Sequence, residues 1–226
     1  MVIALLSMHP LVASIALLIS GAAVSEGMIS KQAQSIGDTM RWRQTPQGLL
    51  GEASFSSPDR RSTLQARFVE QGNEGDPGFA HFTEFRLTGA AGAARFRGNE
   101  SLGDVLWSPD SRKVAVSLSD GGLNGIYRLL IVHGGKARER TELFRRAFPR
   151  PKACDLGGAP NVGALTWLSA THLIVVVQPP WEERCAGRGT VAYFDYDVAG
   201  DRFHRITPKG STLRRYRAML GTAFRR

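Results

Sequence analysis

Cysteine is almost missing from this chain of 226 residues. Cys154 and Cys185 are the only two; they form no Cys-x-x-Cys spacing, and no histidine lies close to either in sequence. A zinc ribbon and a disulfide-dense scaffold are thereby excluded. In an oxidising compartment a bridge between Cys154 and Cys185 is expected, closing a loop of about 30 residues and contributing roughly 3–4 kcal/mol on the chain-entropy model. Two unconnected thiols are the alternative.

Charge is missing altogether from residues 1–25. A continuous apolar core from Leu11 to Val24, with the small residues Ala23 and Ser25 ahead of Glu26, has the pattern of a secretory signal peptide over residues 1–25. The departure is the lack of Lys or Arg before that core. The same segment is long enough to span a bilayer, so an N-terminal membrane anchor is the alternative. Export places the protein in the periplasm or outside the cell.

Motifs that carry chemistry are equally scarce. Nucleophilic hydrolysis needs a Ser or Cys beside a base, often displayed on a G-x-S-x-G elbow, and the chain has no such elbow. His81, His133, His172 and His204 are scattered over expected strands or their ends and read as structural or surface residues. Gly134-Gly135-Lys136 lacks the upstream glycine and the following Ser or Thr of a phosphate loop. Asp195, Asp197 and Asp201 fall at positions 1, 3 and 7 of a calcium loop with Gly200 at position 6, but Ala199 and Ile206 occupy two ligand positions. A hairpin with alternating exposed carboxylates is expected there instead. No metal and no cofactor are expected.

What the chain does have is local basic charge. Its 29 Lys and Arg exceed its 20 Asp and Glu, for a net charge of +9. Lys136 to Lys152 contributes +5 and Pro208 to Arg226 contributes +6, so the remainder is slightly acidic. Arg138, Arg140, Arg145 and Arg146 flank Phe144 and Phe148, while Arg214, Arg215 and Arg217 surround Tyr216. Arginine interleaved with aromatics suits polyanions. For an exported chain the expected partner is a protein or an anionic envelope component, including a membrane surface, rather than nucleic acid.

The most informative phrase is Trp107-Ser108-Pro109-Asp110-Ser111-Arg112-Lys113 followed by Val114-Ala115-Val116, which reads as strand, tight turn and strand. It has an echo at Phe55-Ser56-Ser57-Pro58-Asp59-Arg60-Arg61 and a degenerate one at Trp167-Leu168-Ser169-Ala170-Thr171-His172, which makes it an internal repeat. Four strands per unit are expected. The first unit spans Ala53–Ser56, Thr63–Glu70, Ala80–Leu87 and Ala93–Arg97; the second Asp104–Trp107, Lys113–Ser119, Ile126–Val132 and Arg138–Phe144; the third Val162–Trp167, His172–Gln178, Thr190–Tyr196 and Arg202–Ile206. The runs Leu129–Val132 and Leu173–Val177 are apolar at successive positions, as in strands covered on both faces. Residues 26–48 read as a polar linker containing one strand at Met40–Gln44, residues 49–207 as the repeat domain, and residues 208–226 as a basic C-terminal tail.

A strand, W-S-P-D-x-[RK]-[RK] and then V-A-V resembles the repeat of TolB-like and WD40-like (PD40-type) β-propellers. Trp107, Pro109 and Asp110 match it well, Pro58 and Asp59 moderately, and Trp167 marks the weak third copy. The resemblance implies an all-β, propeller-like array of about three four-stranded antiparallel units, with those residues as scaffold. Propellers typically close with four or more blades. Here the array is either closed by a fourth unit from Met40–Gln44 and Ser211–Met219, or incomplete and able to oligomerise. The function expected is a non-catalytic envelope binding or scaffold protein; the alternative is a small exported hydrolase with a cleft at the repeat axis.

Overall fold

The computed structural model describes residues 33–72, 79–100, 102–119, 128–148, 160–178 and 191–220. The apolar segment 1–25, both cysteines and part of each basic segment lie outside the described residues, and with them the expected signal peptide and disulfide.

The described chain begins with a short strand β1 (Gln34–Ser35), one turn of helix α1 (Ile36–Thr39) and strand β2 (Arg41–Thr45). A first meander follows, of β3 (Gly48–Ser56), β4 (Ser62–Gln71), β5 (Ala80–Gly89) and β6 (Ala94–Gly98). A second contains β7 (Leu102–Trp107), β8 (Lys113–Ser119), β9 (Arg128–His133) and β10 (Lys136–Glu139), and leads into helix α2 (Thr141–Ala147). The third is β11 (Asn161–Trp167), β12 (His172–Gln178), β13 (Ala192–Asp197) and β14 (Arg202–Ile206), succeeded by helix α3 (Gly210–Met219). The fold is all-β, in three antiparallel sheets: β2 joins β3 at the edge of the first, β1 joins β7 at the edge of the second, and the third keeps four strands.

Strand alternation explains how the sheets stack. In β8, Val114, Val116 and Leu118 pack into a core shared with Phe55, Leu64, Phe68, Phe85 and Leu87 of the first sheet. Ala115, between them, points into a second core with Leu129, Ile131, Val162, Leu173, Val175 and Phe194, so the middle sheet is covered on both faces. All seven residues of β8 are buried. The third sheet does the same with Leu173, Val175 and Val177 on one face and Ile174 and Val176 on the other. Tyr216 and Leu220, from α3 and its cap, cover that last face with Leu165 and Tyr193. The layers therefore run first sheet, second sheet, third sheet, α3.

Several expectations need correction. The segment read as a linker supplies β1, α1 and β2, because single anchors fasten it: Ile36 and Met40 are buried in the first core, and Trp42 packs edge-on to Phe68 at 5.3 Å. Gly51 makes room for that ring, since a Cβ there would lie 2.8 Å from it. The expected strand Arg138–Phe144 is two elements, β10 and then α2, because Thr141 and Phe144 turn inward from a helix and are fully buried. The fourth unit from the two ends does not form: β2 pairs with β3, and residues 210–219 are helical. The tail thus belongs to the folded domain at least as far as Leu220, which is 5% exposed.

Candidate functional site

The repeat turns stand in line along one rim of the stack. In the first, the Ser57 hydroxyl donates to Asp59 Oδ1 at 2.6 Å, Arg61 N donates to the same oxygen at 2.9 Å, and Ser62 N donates to Ser57 Oγ at 3.0 Å. The second repeats this atom for atom: Ser108 Oγ to Asp110 Oδ1 at 2.6 Å, Arg112 N to Asp110 Oδ1 at 3.2 Å, Lys113 N to Ser108 Oγ at 2.9 Å. Arg60 and Ser111, at matching positions, both adopt φ of +62°. The third turn is one residue shorter, and there Ser169 Oγ accepts from Thr171 N and His172 N. Neighbouring turns are linked across sheets. Asp59 N donates to Ser111 Oγ at 3.1 Å, and the buried Lys113 ammonium donates to Ala170 O at 2.8 Å while lying 3.4 Å from Asp110. The carboxylates of Asp59 and Asp110 are thus taken up within their own turns. The Trp167 indole N–H donates to Leu106 O of the next sheet at 3.1 Å.

This rim titrates. The Ser57 hydroxyl and Arg61 N–H hold the Asp59 carboxyl below the usual range. Burial pulls Asp110 upward, but its bonds from Ser108 and Arg112 and the Lys113 charge outweigh that and leave it low. Burial first, then the Lys113 charge, pushes His133 down. Both effects make the unfolded chain bind protons more readily than the native one, so stability falls as pH falls. The carboxylates contribute fully above their unfolded value of about 3.9, and His133 above about 6.5. Asp104, raised by burial and then by Asp38, works in the opposite sense. The melting temperature should accordingly dip as pH drops through about 6.5 and fall further below about 4. His133→Gln should remove the first step alone; persistence of that step would assign it to another group.

The basic residues singled out in the sequence divide between two roles. Arg140 is structural: its Nε donates to Tyr196 Oη at 3.0 Å and its Nη2 to Asp201 at 2.9 Å, while the Tyr196 hydroxyl also donates to Asp201. Burial, aided by Asp201, pushes the Tyr196 hydroxyl up to about 12. Arg145 is tied to Pro160 O at 3.1 Å and Glu142 at 2.9 Å. Arg138, Arg146, Arg214, Arg215 and Arg217 are exposed. The structure spreads them over the second layer and the helical end rather than gathering them. The three Asp of the calcium-like stretch are engaged separately: Asp195 with His172 Nδ1 at 2.8 Å, Asp197 with Ala199 N and Gly200 N, and Asp201 with Arg140 and Tyr196.

The feature that sequence reasoning missed is the outer face of the first sheet, the end of the stack opposite α3. Strand register places Arg41, Glu52, Arg67, Glu84 and Arg97 in one row across β2 to β6, with charges alternating in sign. Four of the five are paired, which leaves the row at +1. Glu52 lies 3.9 Å from Arg67 and 4.0 Å from Arg43, and Arg97 donates to Glu84 while its guanidinium sits 4.7 Å over the Phe82 ring. The adjacent row is Ser54, Gln65, Arg86 and Arg95, which contains no acid. Among the described residues Arg86 and Arg95 have no carboxylate partner, although like charges directly opposite each other destabilise a sheet. They border an open depression of about 560 Å³ with Gln65, Arg67, Glu84 and Arg97, over Phe85 and Phe96. The signal was present as Arg-x-Arg at 41–43 and 95–97 and as Glu84-x-Arg86, but charges spaced by two along separate strands do not form a run in sequence.

No family model, curated protein or solved structure matches the chain.

Proposed function

We propose that this chain is a non-catalytic binding or scaffold protein of the bacterial envelope, built as an incomplete TolB-like propeller array of three blade-like sheets. Its open, arginine-rich end is offered to an anionic or protein partner. The observation that carries the proposal is the asymmetry of the stack. One end is sealed by Tyr216 and Leu220, whereas the other exposes a five-stranded face with six arginines, at 41, 43, 67, 86, 95 and 97, against two glutamates, at 52 and 84. A surplus of four positive charges on an uncovered sheet face repels itself and attracts anions, an arrangement that a complementary partner uses. The matching networks of the first two turns support the propeller-type repeat, and the uncharged apolar residues 1–25 support the envelope location.

The test is co-sedimentation of the full-length protein with fractionated envelope material at low and high salt, beside a panel of ester, peptide and glycoside probes. Salt-reversible binding without turnover is expected. The sole His–carboxylate ion pair among the described residues joins His172 to Asp195, so turnover abolished by His172→Ala would replace this proposal with a hydrolase.

A further inference from the structure

We infer that the row Ser54, Gln65, Arg86 and Arg95 is a binding strip for a linear phosphate-bearing polymer, with one phosphate seated between Arg86 and Arg95. The inference rests on the proposal of a binding protein and specifies its ligand. All four side chains are exposed and lie on one line across β3 to β6, at the positions Ser54↔Gln65, Gln65↔Arg86 and Arg86↔Arg95. Each can donate hydrogen bonds, and two carry fixed positive charge. Arg86 and Arg95 face each other across adjacent strands, whose side chains start about 5 Å apart, so one oxyanion group can accept from both guanidinium forks.

Shape selects the kind of anion. In the neighbouring row Glu52 and Glu84 offset most of the arginine charge, whereas the row of Arg86 and Arg95 holds no acid, so the strongest uncompensated positive charge lies along one row. At about 4.8 Å between strands, four strands give it a length of roughly 14 Å. A flat anionic surface such as a bilayer would press on the two glutamates as well as the strip, whereas a linear chain can follow the strip and avoid them. A second copy of this chain is disfavoured, because the opposite end of the stack exposes Arg214, Arg215 and Arg217. The depression beside Arg86 and Arg95 is open, which suits a polymer passing across the face better than a small ligand needing enclosure.

The test uses the full chain and fluorescently labelled inorganic polyphosphate, followed by anisotropy over a range of salt. Wild type should bind. Arg86→Thr with Arg95→Thr should weaken binding at least tenfold and flatten the salt dependence of log affinity by roughly 0.7–0.9, the share of the one phosphate held between them. Its melting temperature should be unchanged or raised, because a like-charged cross-strand pair is removed and Thr suits a strand. A control carrying Arg138→Ser, Arg146→Ser and Arg214→Ser should stay within about threefold of wild type, since those residues lie outside the strip. If the control loses binding and the Arg86/Arg95 variant does not, the strip is wrong while a binding protein remains. If phosphatidylglycerol vesicles bind and polyphosphate does not, the ligand class is wrong. If the wild type binds neither these probes nor envelope material, the inference and the proposal beneath it both fall.

Discussion

Ending the chain at Ser211 should lower the stability of the domain by roughly 3–6 kcal/mol, since it removes two buried side chains each worth about 1.5–3 kcal/mol. Tyr216 is 6% exposed and Leu220 is 5% exposed, and they cover Leu165, Ile174, Val176 and Tyr193 of the third sheet. A domain of this size is typically stable by only about 5–15 kcal/mol, so the loss is a large share of the total. The uncovered face would be a contiguous apolar patch, and the truncated protein should therefore also aggregate on warming. Urea melts of the truncated chain measure the first effect. Replacing Arg214, Arg215 and Arg217 together with Ser, while keeping the helix, should leave the melt nearly unchanged, because all three are exposed. An unaltered urea midpoint in the truncated chain would mean that α3 does not cap the array, and the asymmetry between the two ends would lose its basis.

Trp107→Ala should cost about 3–5 kcal/mol, the usual loss for a large aromatic removed from a core. Trp107 ends β7 and is 6% exposed in the core shared by the first and second sheets. The two repeat tryptophans differ in one atom's environment. The Trp167 indole N–H donates to Leu106 O, whereas Trp107 Nε1 is buried without a hydrogen-bond partner among the described residues. A buried donor left unpaired costs about 1–3 kcal/mol, so Trp107→Phe sheds a penalty while Trp167→Phe breaks a bond. Trp107→Phe should thus be the milder of the two by about 1 kcal/mol or more. Equal urea midpoints for the two Phe variants would show that the Trp107 indole has a partner after all.

Asp110 shows how tertiary packing changes a local estimate. In sequence it is a turn residue, and the loss of one turn bond to Ala is worth about 1 kcal/mol. In the structure its carboxylate also lies 3.4 Å from the buried Lys113 ammonium, whose other partner is a carbonyl of the third turn. Removing Asp110 leaves that charge less compensated, and the cost rises with it. The lysine belongs to the second repeat, but the group it holds in place belongs to the third.

The repeat turns were legible because their chemistry is local. Ser, Asp and the residues two and five positions on satisfy one another within a single loop, so W-S-P-D alone specifies the bonds that the structure contains. The apolar runs in β9 and β12 were legible for a similar reason, since strands without a polar face need cover on both sides. The short elements β1, α1 and β2 were not legible. Each is held by one or two side chains, Ile36, Met40 or Trp42, which form no periodic pattern. The turn from β10 into α2 was missed because Arg138 to Phe144 has only two apolar residues, adjacent to each other and too few to mark a period; it is tertiary packing that fixes the helix, with Phe144 against Phe194, Tyr196 and Phe203 at 5.1–5.7 Å in the second core.

By itself, then, the sequence determined the β-class of the fold and the bonding inside the first two repeat turns, which depend on residues a few positions apart. The tertiary structure decided which faces are covered. A period of two marks one side of a strand as polar but says nothing about what lies opposite it. Only the stacking of three sheets, with α3 over the third and nothing described over the first, turns the arginines of β2, β4, β5 and β6 into one exposed face.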